Sequence, residues 1–156
     1  YGYLTGSYVR DKDGVDGAYM ICEMFSYYAT QGISLLDKLD ELYKTYGYCL
    51  NTLHSYEFDG SAGFARMQSI MQAFRGGIKE FGGKKVVRLL DYVQGLDGLP
   101  KSDVLKFLLE DNCSLVVRPS GTEPKLKIYI SVSAENKEMA EEVEDEIAKT
   151  AEKWIC

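Results

Sequence analysis

The 156-residue sequence lacks the features that mark several common classes of protein. No apolar run approaches the roughly 20 residues of a transmembrane helix, and we expect no signal peptide. The sequence has 18 Lys and Arg and 24 Asp and Glu, which gives a net charge of −6. Nucleic-acid binding needs an excess of positive charge, which this sequence does not have. We therefore expect a cytoplasmic protein that binds neither membranes nor nucleic acid.

The cysteines and the single histidine of the sequence are not arranged like a metal site or a catalytic centre. Its four cysteines are widely spaced and include no C-x-x-C pair, which argues against a zinc site or a disulfide framework and suits a reducing cytoplasm. Cys22 and Cys49 fall in apolar patterns, where Cys acts as a small apolar side chain. His54 is the single histidine and has no acidic or Cys cluster beside it, so we expect it on a strand surface rather than in catalysis.

The composition is that of a globular protein, with 46% apolar and 27% charged residues, and the length suffices for one good core. An initiator Met is absent and the chain begins in a Tyr-Gly-Tyr stretch, which suggests a piece of a longer polypeptide. Residues 1–46 contain two helical patterns, from the Asp13 cap to Thr30 and from Ser34 to Tyr46. Two helices without strands cannot make a domain, so we predict that residues 1–46 are the tail of a preceding α/β domain.

Residues 47–156 show the pattern of a separate α+β domain. We predict first a strand over Tyr48–Phe58, then, after the break Asp59-Gly60-Ser61, a helix with its apolar stripe from Phe64 to Phe74 and its end at Gly76-Gly77. Strands Lys85–Val93, Val104–Leu109, Ser114–Arg118 and Leu126–Ser133 and a helix over Glu135–Trp154 should follow. Consecutive strands with one helix inside and one after them predict an antiparallel sheet with both helices on one face.

The segment from Arg118 to Lys125 reads RPSGTEPK and lies between two β-branched runs, so we predict strand, tight loop and strand. Arg118 offers a planar fork of N–H donors, Ser120 and Thr122 offer hydroxyls, and Gly121 lets the backbone N–H groups approach a ligand. These groups suit an anion. An ordinary polar hairpin with a Lys-rich solvent face explains the residue pattern equally well.

Alternation along the second strand predicts which of its side chains reach the core. Leu126, Ile128, Ile130 and Val132 should share the buried face. Lys125 and Lys127 should share the opposite face with Tyr129, near the mouth of the loop.

The run RPSGTEPKLKIY resembles the phosphate-binding loop in the C-terminal domain of the α-D-phosphohexomutases, the family of phosphoglucomutases, phosphomannomutases and phosphoglucosamine mutases. The segment Tyr1-Gly2-Tyr3, followed by Arg10-Asp11-Lys12-Asp13-Gly14, is similar to the stretch after that family's sugar-recognition loop, most of all in the phosphoglucomutase branch. The two matches lie at opposite ends of the chain and occur in the same order as in the family. The resemblance therefore covers essentially the whole chain. The resemblance implies a sugar-binding α/β domain ending within residues 1–46 and a C-terminal domain over residues 47–156 with a fold like that of the TATA-box-binding protein.

The resemblance implies an isomerase that shifts a phosphoryl group between the 1- and 6-hydroxyls of a hexose. In the family a phosphoserine donates the phosphate, glucose 1,6-bisphosphate is the intermediate, and Mg²⁺ in an Asp-rich loop stabilises the transferring group. The serine, the metal loop and most of the sugar-selecting loop would belong to N-terminal domains before Tyr1. We therefore expect this chain alone to be inactive.

The residues that match the family's motifs are expected to bind the phosphate of the phosphosugar substrate. The resemblance assigns this role to Arg118, Ser120, Gly121, Thr122 and Lys127, less firmly to Lys125, and through the Lys-Asp-Gly motif to Lys12. Glu123 is expected to organise the loop, since a carboxylate repels phosphate.

Two alternatives remain open. One is a mutase that prefers mannose or another hexose or hexosamine phosphate. The other is a phosphate-binding module without chemistry, because the sequence shows no nucleophile, base or metal cluster.

Overall fold

The computed structural model describes residues 3–8 and 10–155, without the side chain of Ser61. Tyr1 and Gly2 of the N-terminal motif lie outside the described residues. The chain divides into two compact units, Tyr1–Tyr46 and Gly47–Cys156, and each is described by itself. None of the helices in this described part is long and apolar enough to span a membrane.

The N-terminal unit contains two helices, α1 over Gly14–Ala29 and α2 over Leu35–Tyr46. Asp13 caps α1 as predicted, because its Oδ1 accepts hydrogen bonds from the backbone N–H groups of Val15 (2.7 Å) and Asp16 (3.2 Å). Ser34 and Asp37 form the reciprocal cap of α2, each accepting a backbone N–H bond of 3.1 Å from the other. The helix of Gly14–Ala29 buries Gly17 and exposes large apolar side chains such as Val15, Tyr19 and Phe25. That this unit completes an α/β domain stays a prediction.

The C-terminal unit is a six-stranded sheet with two helices. Its strands lie in the order β1-β6-β5-β4-β3-β2, and every neighbouring pair is antiparallel. The strands are β1 Tyr48–Glu57, β2 Glu80–Phe81, β3 Lys84–Asp91, β4 Leu105–Leu109, β5 Ser114–Pro119 and β6 Lys125–Ala134. Helix α3 spans Gly60–Arg75 and α4 spans Lys137–Glu152. The predicted mixture of helices and an antiparallel sheet is confirmed.

The core forms on one face of this sheet. Strand β6 buries the four residues that alternation predicted, namely Leu126, Ile128, Ile130 and Val132. Both helices contribute to the same cluster, with Met67, Met71 and Phe74 from α3 and Ala140, Ile147 and Ala151 from α4. The two helices therefore cover one face, as predicted, and leave the other face of the sheet uncovered by the described elements of this unit.

Several element ends differ from the sequence-based expectation. Strand β2 has two residues and carries no periodicity that could reveal it. Helix α3 begins at Gly60, inside the break expected at Asp59-Gly60-Ser61, and strand β3 ends at Asp91 rather than Val93. The Asp91 carboxylate accepts the Val93 N–H at 3.0 Å and so replaces a ladder bond at the strand end.

Three of the cysteines and the single histidine lie among the described residues. Cys22, Cys49 and Cys113 are free thiols, but only Cys113 of these three is buried, so the apolar surroundings expected for Cys22 and Cys49 are not observed. His54 lies on β1 as expected, half-buried, and its Nε2 is 2.7 Å from Glu144 Oε1 on α4. This contact ties the edge strand to the helix above it.

Candidate functional site

The loop of residues 120–124 joins β5 to β6 and is held by its own backbone. The Ser120 N–H donates to the Lys125 carbonyl at 2.7 Å, and the Lys125 N–H donates to the Glu123 carbonyl at 2.7 Å. At the far end, the Pro124 carbonyl accepts the Phe58 N–H at 2.9 Å, which fixes the loop to the end of β1. These backbone bonds hold the loop in one conformation, which lowers the entropy lost on binding.

Ser120 is oriented by the loop that it belongs to. Its Oγ accepts the backbone N–H groups of Thr122 (3.4 Å) and Glu123 (3.3 Å). A hydroxyl has one proton and two lone pairs, so these bonds use the lone pairs and leave the O–H free to donate. Ser120 is therefore prepared to donate a hydrogen bond to an anion.

A cavity of about 380 Å³ opens beside the loop. Its lining comes from three elements: Arg118, Pro119, Ser120 and Gly121 of the β5–β6 hairpin, Phe64, Met67 and Gln68 of α3, and Ser102 and Asp103 ahead of β4. The volume is within the range of about 300–1,000 Å³ that is typical of small-molecule sites.

Three of the predicted phosphate-binding residues, Arg118, Ser120 and Gly121, line this one cavity. Strand register places Lys127 directly opposite Arg118, although Lys127 does not line the cavity. Thr122 lies in the exposed part of the loop and does not line it either. The arrangement combines a guanidinium, a hydroxyl and a glycine backbone, with an ammonium in the neighbouring strand.

Lys125 has a partner of its own. Its Nζ lies 2.7 Å from Glu57 Oε1 on the adjacent strand β1. This hydrogen-bonded ion pair raises the pKa of Lys125 and lowers the pKa of the Glu57 carboxyl. Glu57 therefore compensates the positive charge that Lys125 would bring to a phosphate. That Lys125 contacts the phosphate directly stays a prediction. Lys12 lies in the N-terminal unit, where its Nζ is 3.6 Å from Asp11 Oδ1.

Sequence reasoning missed an ion cluster at the edge of the cavity. Arg75, in the last turn of α3, donates from Nε to Asp91 Oδ2 at 2.8 Å and from Nη2 to Asp103 Oδ1 at 2.6 Å. The bond to Asp91 is the main cause of the raised pKa of Arg75, and the bond from Arg75 is the main cause of the lowered pKa of Asp91. The three residues are far apart in the sequence, and no motif connects them.

The described residues do not provide a metal site. Among residues 3–8 and 10–155, no group of three or more His, Cys, Asp or Glu side chains is placed to hold an ion. That the Mg²⁺ ligands lie in other domains of the full-length enzyme stays a prediction.

A family model described as the C-terminal domain of phosphoglucomutase/phosphomannomutase matches residues 58–150. Two curated relatives are phosphoglucomutases of Staphylococcus aureus. The protein of strain MSSA476 is 37% identical over 148 residues, which cover 87% of this chain and 27% of the relative. The protein of strain MRSA252 is 37% identical over 144 residues, or 85% of this chain and 26% of the relative. The chain thus spans about a quarter of the length of these relatives.

A solved structure has a similar fold. It is the open-form crystal structure of the exocytosis-sensitive phosphoprotein pp63/parafusin, a phosphoglucomutase from Paramecium, with a TM-score of 0.60. The two chains are 18% identical over 95% of this chain and 27% of that one, so this likeness concerns the fold. The family model, which covers more than half of the chain, and the two relatives at 37% identity establish the family: this chain belongs to the phosphoglucomutase/phosphomannomutase family and contains its C-terminal domain.

Proposed function

We propose that this chain is the phosphate-binding C-terminal part of a phosphoglucomutase, which interconverts glucose 1-phosphate and glucose 6-phosphate. The observation that carries the proposal is the meeting of Arg118, Ser120 and Gly121 on the wall of one cavity. The relatives at 37% identity are named phosphoglucomutases, which favours glucose among the family's sugars.

In this proposal the site holds the phosphate that does not react. Arg118 makes a bidentate contact with two phosphate oxygens, Ser120 donates its hydroxyl proton, and Gly121 presents a backbone N–H. Thr122 adds a hydroxyl and Lys127 adds long-range positive charge. Binding energy from this remote group positions the reacting end of the sugar.

The transferring chemistry would come from other domains of the same polypeptide. A phosphoserine there would exchange phosphate with the substrate through glucose 1,6-bisphosphate, and a bound Mg²⁺ would supply charge neutralisation for the transferring group. Among the described residues no group of three or more His, Cys, Asp or Glu side chains is placed to hold that ion, and we propose that the isolated chain binds phosphosugar without turning it over. A cytoplasmic location fits the free thiols of Cys22, Cys49 and Cys113.

The test is the substitution Arg118→Ala in the full-length polypeptide that carries this chain. Loss of a charge-assisted bidentate contact should lower kcat/KM for glucose 1-phosphate at least about tenfold. Arg88→Ala is the matched control, because Arg88 is an exposed arginine paired with Leu108 and does not line the cavity. Unchanged kcat/KM in the Arg118 variant contradicts the assignment.

The choice of sugar is tested in the same enzyme. We expect kcat/KM to be higher for glucose 1-phosphate than for mannose 1-phosphate or glucosamine 1-phosphate. A preference for mannose 1-phosphate would make the protein a phosphomannomutase and leave the phosphate site as described.

A further inference from the structure

The cavity beside the phosphate loop contains groups that a phosphate alone does not use. Asp103 presents a carboxylate, which only accepts hydrogen bonds, and Gln68 and Ser102 add an amide and a hydroxyl. A phosphate dianion also only accepts, so it gains nothing from Asp103. A sugar carries hydroxyl donors that match this carboxylate.

Arg75 reduces the electrostatic repulsion between the Asp103 carboxylate and a bound anion. It donates to Asp103 Oδ1 at 2.6 Å while also binding Asp91, so one guanidinium shared by two carboxylates compensates part of the charge of Asp103. An unpaired carboxylate in this position would repel phosphate. The paired one keeps free lone pairs, because an ionised carboxylate accepts about four hydrogen bonds.

The same contact fixes the direction of the carboxylate. Arg75 extends from the end of α3, and its guanidinium is itself fixed by Asp91 at the end of β3. The side chain of Asp103 is 31% exposed, so it is accessible while its position is set. An acceptor that is already oriented loses little entropy when a ligand binds.

We propose that Asp103 determines specificity by accepting a hydrogen bond from a ring hydroxyl of the phosphosugar whose phosphate lies at Arg118 and Ser120. This inference rests on the proposed function and deepens it. Arg75 acts through Asp103 and is a positioning residue. The cavity then recognises phosphate and sugar together, rather than phosphate alone.

The test is a binding titration of the 156-residue chain with inorganic phosphate and with glucose 1-phosphate, followed by NMR. Asp103→Asn keeps the shape of the side chain and removes its charge. It should weaken glucose 1-phosphate binding about fivefold and leave inorganic phosphate within about twofold, since bonds to charged groups are the stronger ones. Asp103→Ala should give the same selective loss.

Asp91→Asn is the matched control, because it removes the other carboxylate of Arg75 without touching the cavity lining. Because Asp91 contacts Arg75 and does not line the cavity, this change should lower the preference for glucose 1-phosphate by less than Asp103→Asn does, even where it lowers stability. A purely structural role for Asp103 predicts instead that the two Asn variants behave alike, which would overturn the proposal.

A second measurement uses the unaltered chain. The carboxyl carbon of Asp103 should shift when glucose 1-phosphate is added and stay in place with inorganic phosphate. If phosphate binds at Arg118 but this carbon responds to neither ligand, the inference fails and the proposed function stands. If phosphate does not bind at Arg118 at all, both fail.

Discussion

Arg118 on β5 lies directly opposite Lys127 on β6, so two positive side chains face each other across an antiparallel pair. In the described part of the chain neither forms an ion pair, and the other neighbour of Lys127 is the neutral Ser55 on β1. Like charges in directly opposite positions destabilise a sheet. An anion bound between them would remove the repulsion, so the arrangement costs stability in the absence of ligand.

This pairing predicts that one substitution stabilises the fold and weakens binding. In low-salt buffer without phosphate, Lys127→Gln should raise the free energy of unfolding by about 0.2–1 kcal/mol, because it removes the repulsion. It should also lower the affinity for phosphate. Urea denaturation with and without phosphate measures both effects.

Lys106→Gln is the control for that change. Lys106 stands on the same face but opposite the apolar residues Val116 and Leu90, so its removal relieves no repulsion. Stabilisation by both variants to the same extent would contradict the account.

A second prediction concerns the approach of the β2–β3 turn to α4. Gly82 has a φ of +55°, and a Cβ on it would lie 2.6 Å from the backbone carbonyl carbon of Glu146 and 2.6 Å from the backbone nitrogen of Ile147. Gly82→Ala should therefore cost about 2–5 kcal/mol, through both backbone strain and overlap. Gly83 has a φ of +74° but nothing within 4 Å of such a Cβ.

The adjacent glycine separates the two causes. Gly83→Ala should cost only the strain of about 1–2 kcal/mol. Equal losses in thermal or urea denaturation of the two variants would show that α4 does not approach the turn as closely as described.

A third prediction is acid sensitivity through Asp91. Hydrogen bonds from Arg75, and then from the Val93 N–H, lower the pKa of the folded Asp91 carboxyl below its ordinary value of 3.8. Its contribution to stability is complete above that ordinary value and is lost as the pH falls through the lower folded pKa. The free energy of unfolding should therefore decline below about pH 4.

Asp91→Asn should flatten this acid decline and reduce stability at pH 7 by about 1 kcal/mol. Glu135→Gln, which alters an exposed carboxylate, is the control and should leave both unchanged. An acid decline in the Asp91 variant as steep as in the unaltered chain would contradict the role given to Arg75.

The sequence predicted those features that depend on local pattern. The alternation of Leu126, Ile128 and Ile130 identified the buried face of β6, because one side of the sheet is covered and the other is open. The loop residues Arg118, Ser120 and Gly121 could be found because they are contiguous. The two-residue strand β2 could not, because two residues show no period.

The rest of the site depends on how the strands are ordered. Arg75 and Asp103 are separated by 28 residues, and they meet only because the end of α3 lies beside the ends of β3 and β4. The ion pair of Lys125 with Glu57 likewise requires β1 to lie next to β6, although the two residues are 68 positions apart in the sequence. Neither pairing leaves a signal in the spacing of one sequence.

The central claim is that the chain carries a preformed phosphate site at Arg118 and its loop. The most direct measurement is an amide NMR titration of the 156-residue chain with inorganic phosphate and with glucose 1,6-bisphosphate. We predict shifts confined to Arg118–Lys127 and the cavity beside them, half-saturated near ~1 mM ligand, and a dissociation constant of that size corresponds to about −4 kcal/mol. Arg118→Ala should abolish these shifts. If the loop of the unaltered chain shows no shift at tens of millimolar ligand, roughly tenfold above the expected dissociation constant, the claim is contradicted.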